Sequence, residues 1–99
     1  MLPMKPSQAL NLHRAELRSL AARFGVRAPR VFGSVATGED AEDSDLDLLV
    51  DPTETTSLIT ICRLQAEAEA LLGVAVDVQT PKSLPAKFRD QVLRTAVPV

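Results

Sequence analysis

The sequence predicts an α/β domain. Short aliphatic runs with the period-two alternation of strands are separated by segments whose apolar residues recur at helical spacing. Each strand-like run has one aliphatic face, and helices must cover such a face. The chain has 99 residues, of which 45% are hydrophobic, so it can bury one small core.

Composition and charge narrow the classes of function. The formal net charge is -2 at pH 7, and no basic helix with base-reading side chains stands out, so direct DNA binding is not expected. No apolar run approaches the length of a membrane span, and the N-terminus has no apolar secretory segment. The single cysteine, Cys62, fits a reducing compartment and is predicted to be buried. We therefore expect a cytoplasmic protein without membrane contact.

The first helix and the first strand are predicted from spacing and stop signals. Residues 1–6 are expected to be a loose lead-in, Ser7 is the predicted N-cap, and Gly25 is the predicted stop. Residues 26–30 are predicted to be a connector, and the first strand follows at about 30–32. The apolar residues at helical spacing are Leu10, Leu17, Leu20, Ala21 and Phe24.

The rest of the chain alternates strand and helix. Strands are predicted at about 45–50 and 74–79, and the helix between them is expected to begin after Ser57 and to end at Gly73. Ser83 is the predicted cap of a last helix, and the apolar tail is expected to pack on the sheet edge or on a partner. The expected apolar stripes are Leu58, Ile61, Leu64, Ala68, Leu71 and Leu72 in one helix, and Leu84, Phe88 and Val92 in the other.

Two carboxylates on one face of the second predicted strand are the first candidates for chemistry. Side chains alternate along a strand, so Asp45 and Asp47 point to one face, with Cα atoms roughly 6.5–7 Å apart. Carboxylates at this spacing can together coordinate one or two divalent cations through their oxygens. Four further acidic residues of the preceding loop are predicted to be solvated: Glu39, Asp40, Glu42 and Asp43.

A third carboxylate is predicted in the following strand. Val74, Val76 and Val78 share one face, so Asp77 faces the other way. An Asp inside a β-branched run conflicts with strand preference, and such local conflicts are expected at functional sites. We predict that Asp77 joins the Asp pair on one face of the sheet, rather than lying at a solvated edge.

Gly33-Ser34 ends the first predicted strand. Glycine permits close approach of a ligand to the backbone, and a short helix beginning at Ser34 would direct backbone amides toward an anion. By itself the dipeptide reads as an ordinary turn. Its position shortly before Asp45 and Asp47 favours a phosphate site instead.

These residues together resemble a known family. Gly33-Ser34, ten residues and then Asp45-Leu46-Asp47 resemble the signature of the DNA polymerase beta-like nucleotidyltransferases. The compact length is similar to that of their minimal members, the antitoxin halves of HEPN–MNT toxin–antitoxin pairs. The resemblance implies a single minimal nucleotidyltransferase domain over 1–99. It also implies a small mixed three- to four-stranded sheet with helices packed on one face, the nucleotidyltransferase palm.

The resemblance also implies roles for the candidate residues. Asp45 and Asp47 would hold the metal of the triphosphate, whereas Asp77 would hold the catalytic metal and help to deprotonate the acceptor. Gly33 and Ser34 would seat the phosphates. The implied cofactor is Mg²⁺ and the implied nucleotide is ATP. The implied reaction transfers AMP to a hydroxyl, that of a tyrosine, on a cognate HEPN-type toxin within a hetero-oligomer.

The chain departs from the family pattern at two positions. Relatives often carry basic residues after Gly-Ser, whereas this chain has Val35 and Thr37. Lys82, Lys87 or Arg30 would have to compensate, or nucleotide affinity is weak. The chain contains no tyrosine, so the tyrosine that is modified must belong to another protein.

Two alternatives to a catalytically active nucleotidyltransferase remain. The missing cations favour a catalytically weak antitoxin that neutralises its toxin by stoichiometric binding. A calcium loop is the other, because Asp43, Asp45, Asp47 and Glu54 match its ligand spacing. That loop needs Gly at its sixth position, where this sequence has Leu48, and the apolar run from Leu48 fits a strand better.

Overall fold

The computed structural model describes residues 4–99, which form a four-stranded sheet with helices packed against it. The predicted lead-in over 1–6 lies partly outside the described residues, and Pro6 is already helical. The elements in chain order are α1 (Pro6–Arg23), β1 (Arg27–Phe32), α2 (Ser34–Thr37), β2 (Leu46–Asp51), α3 (Leu58–Leu72), β3 (Val76–Gln79), a 3₁₀ helix (Pro81–Ser83), α4 (Ala86–Thr95) and β4 (Val97–Pro98).

The strand order in the sheet is β3-β2-β1-β4. β1 is antiparallel to both β2 and β4, whereas β2 and β3 are parallel. Parallel neighbours need a crossover connection, and α3 provides it. The predicted small mixed sheet is therefore confirmed, and β4 places the apolar tail on the sheet edge, as expected.

The alternation of β2 and β3 separates a core face from an open face. The core face packs against α1 and α3, which agrees with the predicted placement of helices on one face. Part of the other face is also covered, because Leu49 is fully buried and lies outside the main core. The strand residues of the main core are Val31, Leu46, Leu48, Val50, Val76 and Val78.

The start of α1 differs from the prediction. Its N-cap is Lys5, and a proline follows at the first helical position, where no backbone donor is needed. Ser7 therefore lies inside the helix, and its amide donates to the Asp40 carboxylate at 2.8 Å. The predicted cap at Ser7 is wrong because the helix already begins at Pro6, after Lys5.

The predicted limits of α3 are confirmed at both ends. The Ser57 hydroxyl accepts a hydrogen bond from the Thr60 amide at 3.2 Å, and Gly73 closes the helix in the left-handed region at φ 71°. Two predictions along the helix are wrong, since Leu58 is 79% exposed and Cys62 is also exposed. Both lie in the first turns, before the buried stripe that starts at Leu64.

β1 begins earlier than predicted, so the connector expected over 26–30 is wrong. The strand starts at Arg27 and contains a register irregularity between Arg27 and Arg30. Ala28 has a positive φ of 49°, which is uncommon for a residue with a Cβ atom. Such a bulge accommodates Pro29, which cannot donate to the strand ladder.

α4 is attached to the domain mainly through its two ends. It begins after Pro85 and not at Ser83, which belongs to the preceding 3₁₀ helix. No residue of α4 is buried, and Phe88, predicted to face the core, is 50% exposed. None of the helices within residues 4–99 combines the length and the apolar character needed to cross a membrane.

Candidate active site

Asp47 and Asp77 are direct neighbours across the parallel strands β2 and β3. Their Cα atoms are register partners. The residues on either side of Asp47, Leu46 and Leu48, are fully buried in the core, so Asp47 points to the opposite face. Asp77 likewise lies between buried Val76 and Val78. The predicted placement of Asp77 on the same face as Asp47 is therefore confirmed.

Asp45 lies just before β2 and not within it, so the predicted start of the strand is one residue early. A turn between Ala41 and Ser44 directly precedes Asp45. In this turn the Ser44 hydroxyl accepts a hydrogen bond from the Ala41 amide at 2.9 Å, and the Ser44 amide donates to the Ala41 carbonyl at 3.0 Å. The strand begins at the next residue, Leu46, whose amide donates to the Ala75 carbonyl at 2.9 Å.

The three carboxylates share one electrostatic environment. Burial raises the pKa of the Asp47 carboxyl above its ordinary value, and the negative charges of Asp77 and Asp45 raise it further. The charged form of Asp47 is thus opposed by its surroundings. A bound cation would remove this repulsion, so the local charge favours binding of a positive ion.

Gln79 holds the side chain of Asp77. Its amide nitrogen donates to both carboxylate oxygens of Asp77 at 3.1 Å, and the Ser83 hydroxyl donates to the Gln79 amide oxygen at 2.7 Å. Sequence analysis did not identify Gln79. The signal was present, because residues two apart in a strand share a face.

Gly33 lies against Asp47 and has a positive φ of 70°. The residue before it, Phe32, is the register partner of Asp47 across β1 and β2. A Cβ atom at position 33 would collide with Oδ2 of Asp47. The positive φ favours glycine here, and any larger residue would force the Asp47 carboxylate to move. The predicted phosphate turn thus adjoins the carboxylates.

The short helix α2 follows Gly33 directly and begins with Ser34. Val35 is buried in the core, so a cation at this position would lie in an apolar environment. Thr37 is exposed, and its hydroxyl donates to the Ser34 carbonyl at 3.2 Å. The two departures from the family pattern thus differ: position 35 supports packing, whereas position 37 is open to solvent.

The cations that were expected to compensate are not equivalent. Arg30 is paired with Asp51, whose Oδ1 lies 2.6 Å from a guanidinium nitrogen, so it is already engaged in the fold. Lys82 and Lys87 are exposed. The Lys87 ammonium lies 5.6 Å from the centre of the Phe88 ring.

Asp40 is not a solvated loop charge, and that prediction is wrong. It is only 6% exposed and accepts the hydrogen bond from Ser7 described above. Burial alone would raise the pKa of Asp40, but the hydrogen bonds from Ser7 and the charge of Lys5 lower it below its ordinary value. Asp40 therefore fastens the acidic loop to the start of α1.

The donor set suits a divalent cation by chemistry and charge. Three carboxylates offer the oxygen ligands that Mg²⁺ prefers, and burial together with the charges of Asp77 and Asp45 raises the pKa of Asp47. Within residues 4–99, however, no three His, Cys, Asp or Glu side chains already form a ligand cluster. The carboxylate of Asp77 is instead bonded to Gln79. The calcium-loop alternative is wrong, because residues 46–51 are a strand.

Comparisons with known proteins identify the class. The family described as "Polymerase beta, Nucleotidyltransferase" matches residues 16–99. The chain therefore belongs to this family of nucleotidyltransferases and is an enzyme of that type, as the sequence motifs predicted. More closely, it is a homologue of protein adenylyltransferase MntA from Thermococcus cleftensis, with 47% identity over 88 residues, or 89% of this chain and 86% of the relative.

Other similar proteins agree with this assignment. A protein of Methanocaldococcus jannaschii is 37% identical over 90 residues, covering 91% of this chain and 97% of the relative. A solved minimal nucleotidyltransferase is 47% identical with a TM-score of 0.84, covering 94% of this chain and 95% of that chain. The MntA–HepT toxin–antitoxin structure has a TM-score of 0.67 at 19% identity, covering 89% and 69%, which shows the shared fold.

Proposed function

We propose that this enzyme is a Mg²⁺-dependent antitoxin that transfers AMP from ATP to a hydroxyl of a cognate HEPN-type toxin. The observation that carries the proposal is the pairing of Asp47 with Asp77 on the open face of the sheet, beside Gly33. The name of the Thermococcus relative supports adenylyl transfer to a protein, and solved toxin–antitoxin complexes of the same fold, one with AMP-PNP, support the partner and nucleotide. The proposal treats residues 1–99 as one minimal nucleotidyltransferase domain.

The proposed roles are those that the resemblance to the family implies. Asp45 and Asp47 hold the Mg²⁺ of the triphosphate and Asp77 completes the carboxylate set. A Mg²⁺ ion held by these residues would supply neutralisation of the phosphate charge. Backbone amides at Gly33 and Ser34 bind the phosphates.

The transfer itself needs positioning more than covalent chemistry. The acceptor oxygen forms a bond to the α-phosphorus, the bond from that phosphorus to the bridging oxygen breaks, and pyrophosphate leaves. Asp77 accepts the proton of the acceptor hydroxyl.

The acceptor is proposed to be a tyrosine of the toxin. This chain contains no tyrosine, so a phenolic acceptor must come from another protein, and reaction requires a hetero-oligomeric encounter. Because ATP and Mg²⁺ are supplied in the cytoplasm, the proposal places the reaction there.

The test is label transfer from ATP labelled at the α-phosphate to a purified HEPN-type protein, which is to be sought in the reading frame next to the one that encodes this chain. We expect label transfer from ATP to the toxin to require Mg²⁺ and to disappear in the Asp45→Asn and Asp47→Asn variants. Replacing the accepting tyrosine of the toxin by phenylalanine should abolish it as well. Wild-type enzyme that labels no residue of this partner would contradict the proposal.

A second candidate is an antitoxin that acts by stoichiometric binding. It is favoured by Val35 and Thr37, which leave α2 without a cation beside the phosphate turn. In that case Asp45→Asn and Asp77→Asn variants would neutralise the toxin as fully as wild type at equal dose. A loss of neutralisation in both variants, with complex formation intact, would instead favour the enzyme.

A further inference from the structure

A groove beside Gly33 separates α2 from α4. It encloses about 480 Å³, within the size range of roughly 300–1,000 Å³ typical of ligand pockets. Gly33 lines this groove and also lies against Asp47, so the groove adjoins the candidate active site at this residue. Its walls are uncharged and include Phe32, Gly33, Ala36, Phe88, Gln91 and Val92.

The α4 wall is held in place but left uncovered. The guanidinium of Arg89 donates to the carbonyls of Pro81 at 2.7 Å and Leu84 at 2.9 Å, and β4 fixes the other end of the helix to β1. Between these anchors, Phe88 is half exposed and Val92 lies one turn further on the same side. A fixed helix with an exposed apolar face is suited to bind another molecule.

The residues that line the groove indicate what kind of molecule it binds. Walls without charge do not suit a triphosphate or a metal ion, which belong with the carboxylates. The rings of Phe32 and Phe88 suit an aromatic side chain, and the amide of Gln91 can hydrogen-bond a hydroxyl. We infer that the groove binds the acceptor protein, with the ring of a hydroxyl-bearing aromatic side chain between α2 and α4 and its oxygen toward Gly33. This inference rests on the proposed function.

The test compares alanine substitutions of two large, exposed apolar side chains of α4. Phe88→Ala alters the groove, whereas Leu93→Ala, at a position 43% exposed and outside the groove lining, is the matched control. For Phe88→Ala we expect the KM for the toxin in AMP transfer to rise at least about tenfold. The Kd for ATP, measured by calorimetry on the enzyme alone, should stay within about twofold. Leu93→Ala should change neither constant, and melting curves of both variants check that they fold.

Two results would overturn the inference. If Phe88→Ala weakens ATP binding and leaves the toxin KM unchanged, the groove holds the nucleotide base; if neither constant moves, it binds neither. Should wild type transfer no AMP, the proposed function fails, and calorimetry of toxin binding without ATP still decides the groove. Weaker binding by Phe88→Ala than by Leu93→Ala then supports docking, and equal binding overturns it.

Discussion

The backbone of Gly33 is packed against the carboxylate of Asp47 so closely that a methyl group at position 33 would overlap Oδ2. The Gly33-Ser34 turn and the strand that carries Asp47 are therefore in direct contact. The pairing of β1 with β2 at Phe32 and Asp47 holds them side by side.

Gly33→Ala should impair both stability and transfer. The backbone at φ 70° and ψ -146° lies in a region that residues other than glycine rarely adopt, so a residue with a Cβ atom should cost about 1–3 kcal/mol of unfolding free energy, and the Asp47 carboxylate must move away from the added methyl group. We expect AMP transfer to fall at least about 100-fold, because misplacement by about 1 Å has this effect.

Gly38→Ala is the control for that variant. Gly38 also has a positive φ, 77° with ψ 14°, but nothing lies within 4 Å of an added Cβ atom. Its Ala variant should lose about 1–2 kcal/mol of unfolding free energy for the left-handed backbone and keep its activity. Denaturant unfolding and label transfer measure the two effects, and equal activity in both variants would contradict the proposed contact.

Asp47→Asn should separate stability from catalysis. Burial and two neighbouring carboxylates oppose the charge of Asp47, so removing that charge relieves repulsion when no divalent cation is present. In EDTA we expect the melting temperature to rise by about 2–4 °C, while AMP transfer falls about 100-fold or more. Glu42→Gln removes an exposed charge and should change both far less. A lower melting temperature in Asp47→Asn would contradict the repulsion.

Gln79→Ala should reveal whether Gln79 positions Asp77. Loss of the two hydrogen bonds to the carboxylate leaves Asp77 free to rotate, and we expect kcat to fall about tenfold, as for other residues that orient ligands. The KM for ATP should stay within about twofold. Ser83→Ala leaves both hydrogen bonds to Asp77 in place and removes the hydrogen bond to Gln79 together with those to the Thr80 backbone, so it should have a smaller effect on kcat. A wild-type kcat in Gln79→Ala would rule out the positioning role.

The contribution of Asp40 to stability should depend on pH. Its pKa is lowered in the folded state, so its stabilising effect is complete above the unfolded value and is lost as pH falls through the folded one. Asp40→Asn should therefore cost about 1 kcal/mol of unfolding free energy at pH 7, and the difference from wild type should shrink below about pH 4. Exposed Glu39→Gln is the control. A difference that stays constant from pH 7 to pH 2 would contradict the assignment.

Much of the site follows from local pattern. Alternation in two aliphatic runs places Asp47 and Asp77 on one face, and a strand pairing then brings them together. Capping signals likewise predict both ends of α3, because Ser57 and Gly73 act through their own backbone neighbourhood.

The features that the sequence did not predict depend on distant residues. Asp40 is buried against the start of α1, where it accepts a hydrogen bond from an amide 33 residues away in the chain. The irregularity near Ala28 depends on the register with β2. Leu58 continues the helical stripe of α3, but it is exposed because the buried stripe begins only at Leu64. Local periodicity contains none of this information.

The shallow attachment of α4 bears on how such enzymes diverge. Because no residue of this helix contributes to the interior, substitutions along it remove little buried surface and cost little folding free energy. Natural variation can therefore rewrite this surface one residue at a time while the carboxylate strands stay unchanged. A lineage could in this way follow a changing partner without rebuilding its reaction centre.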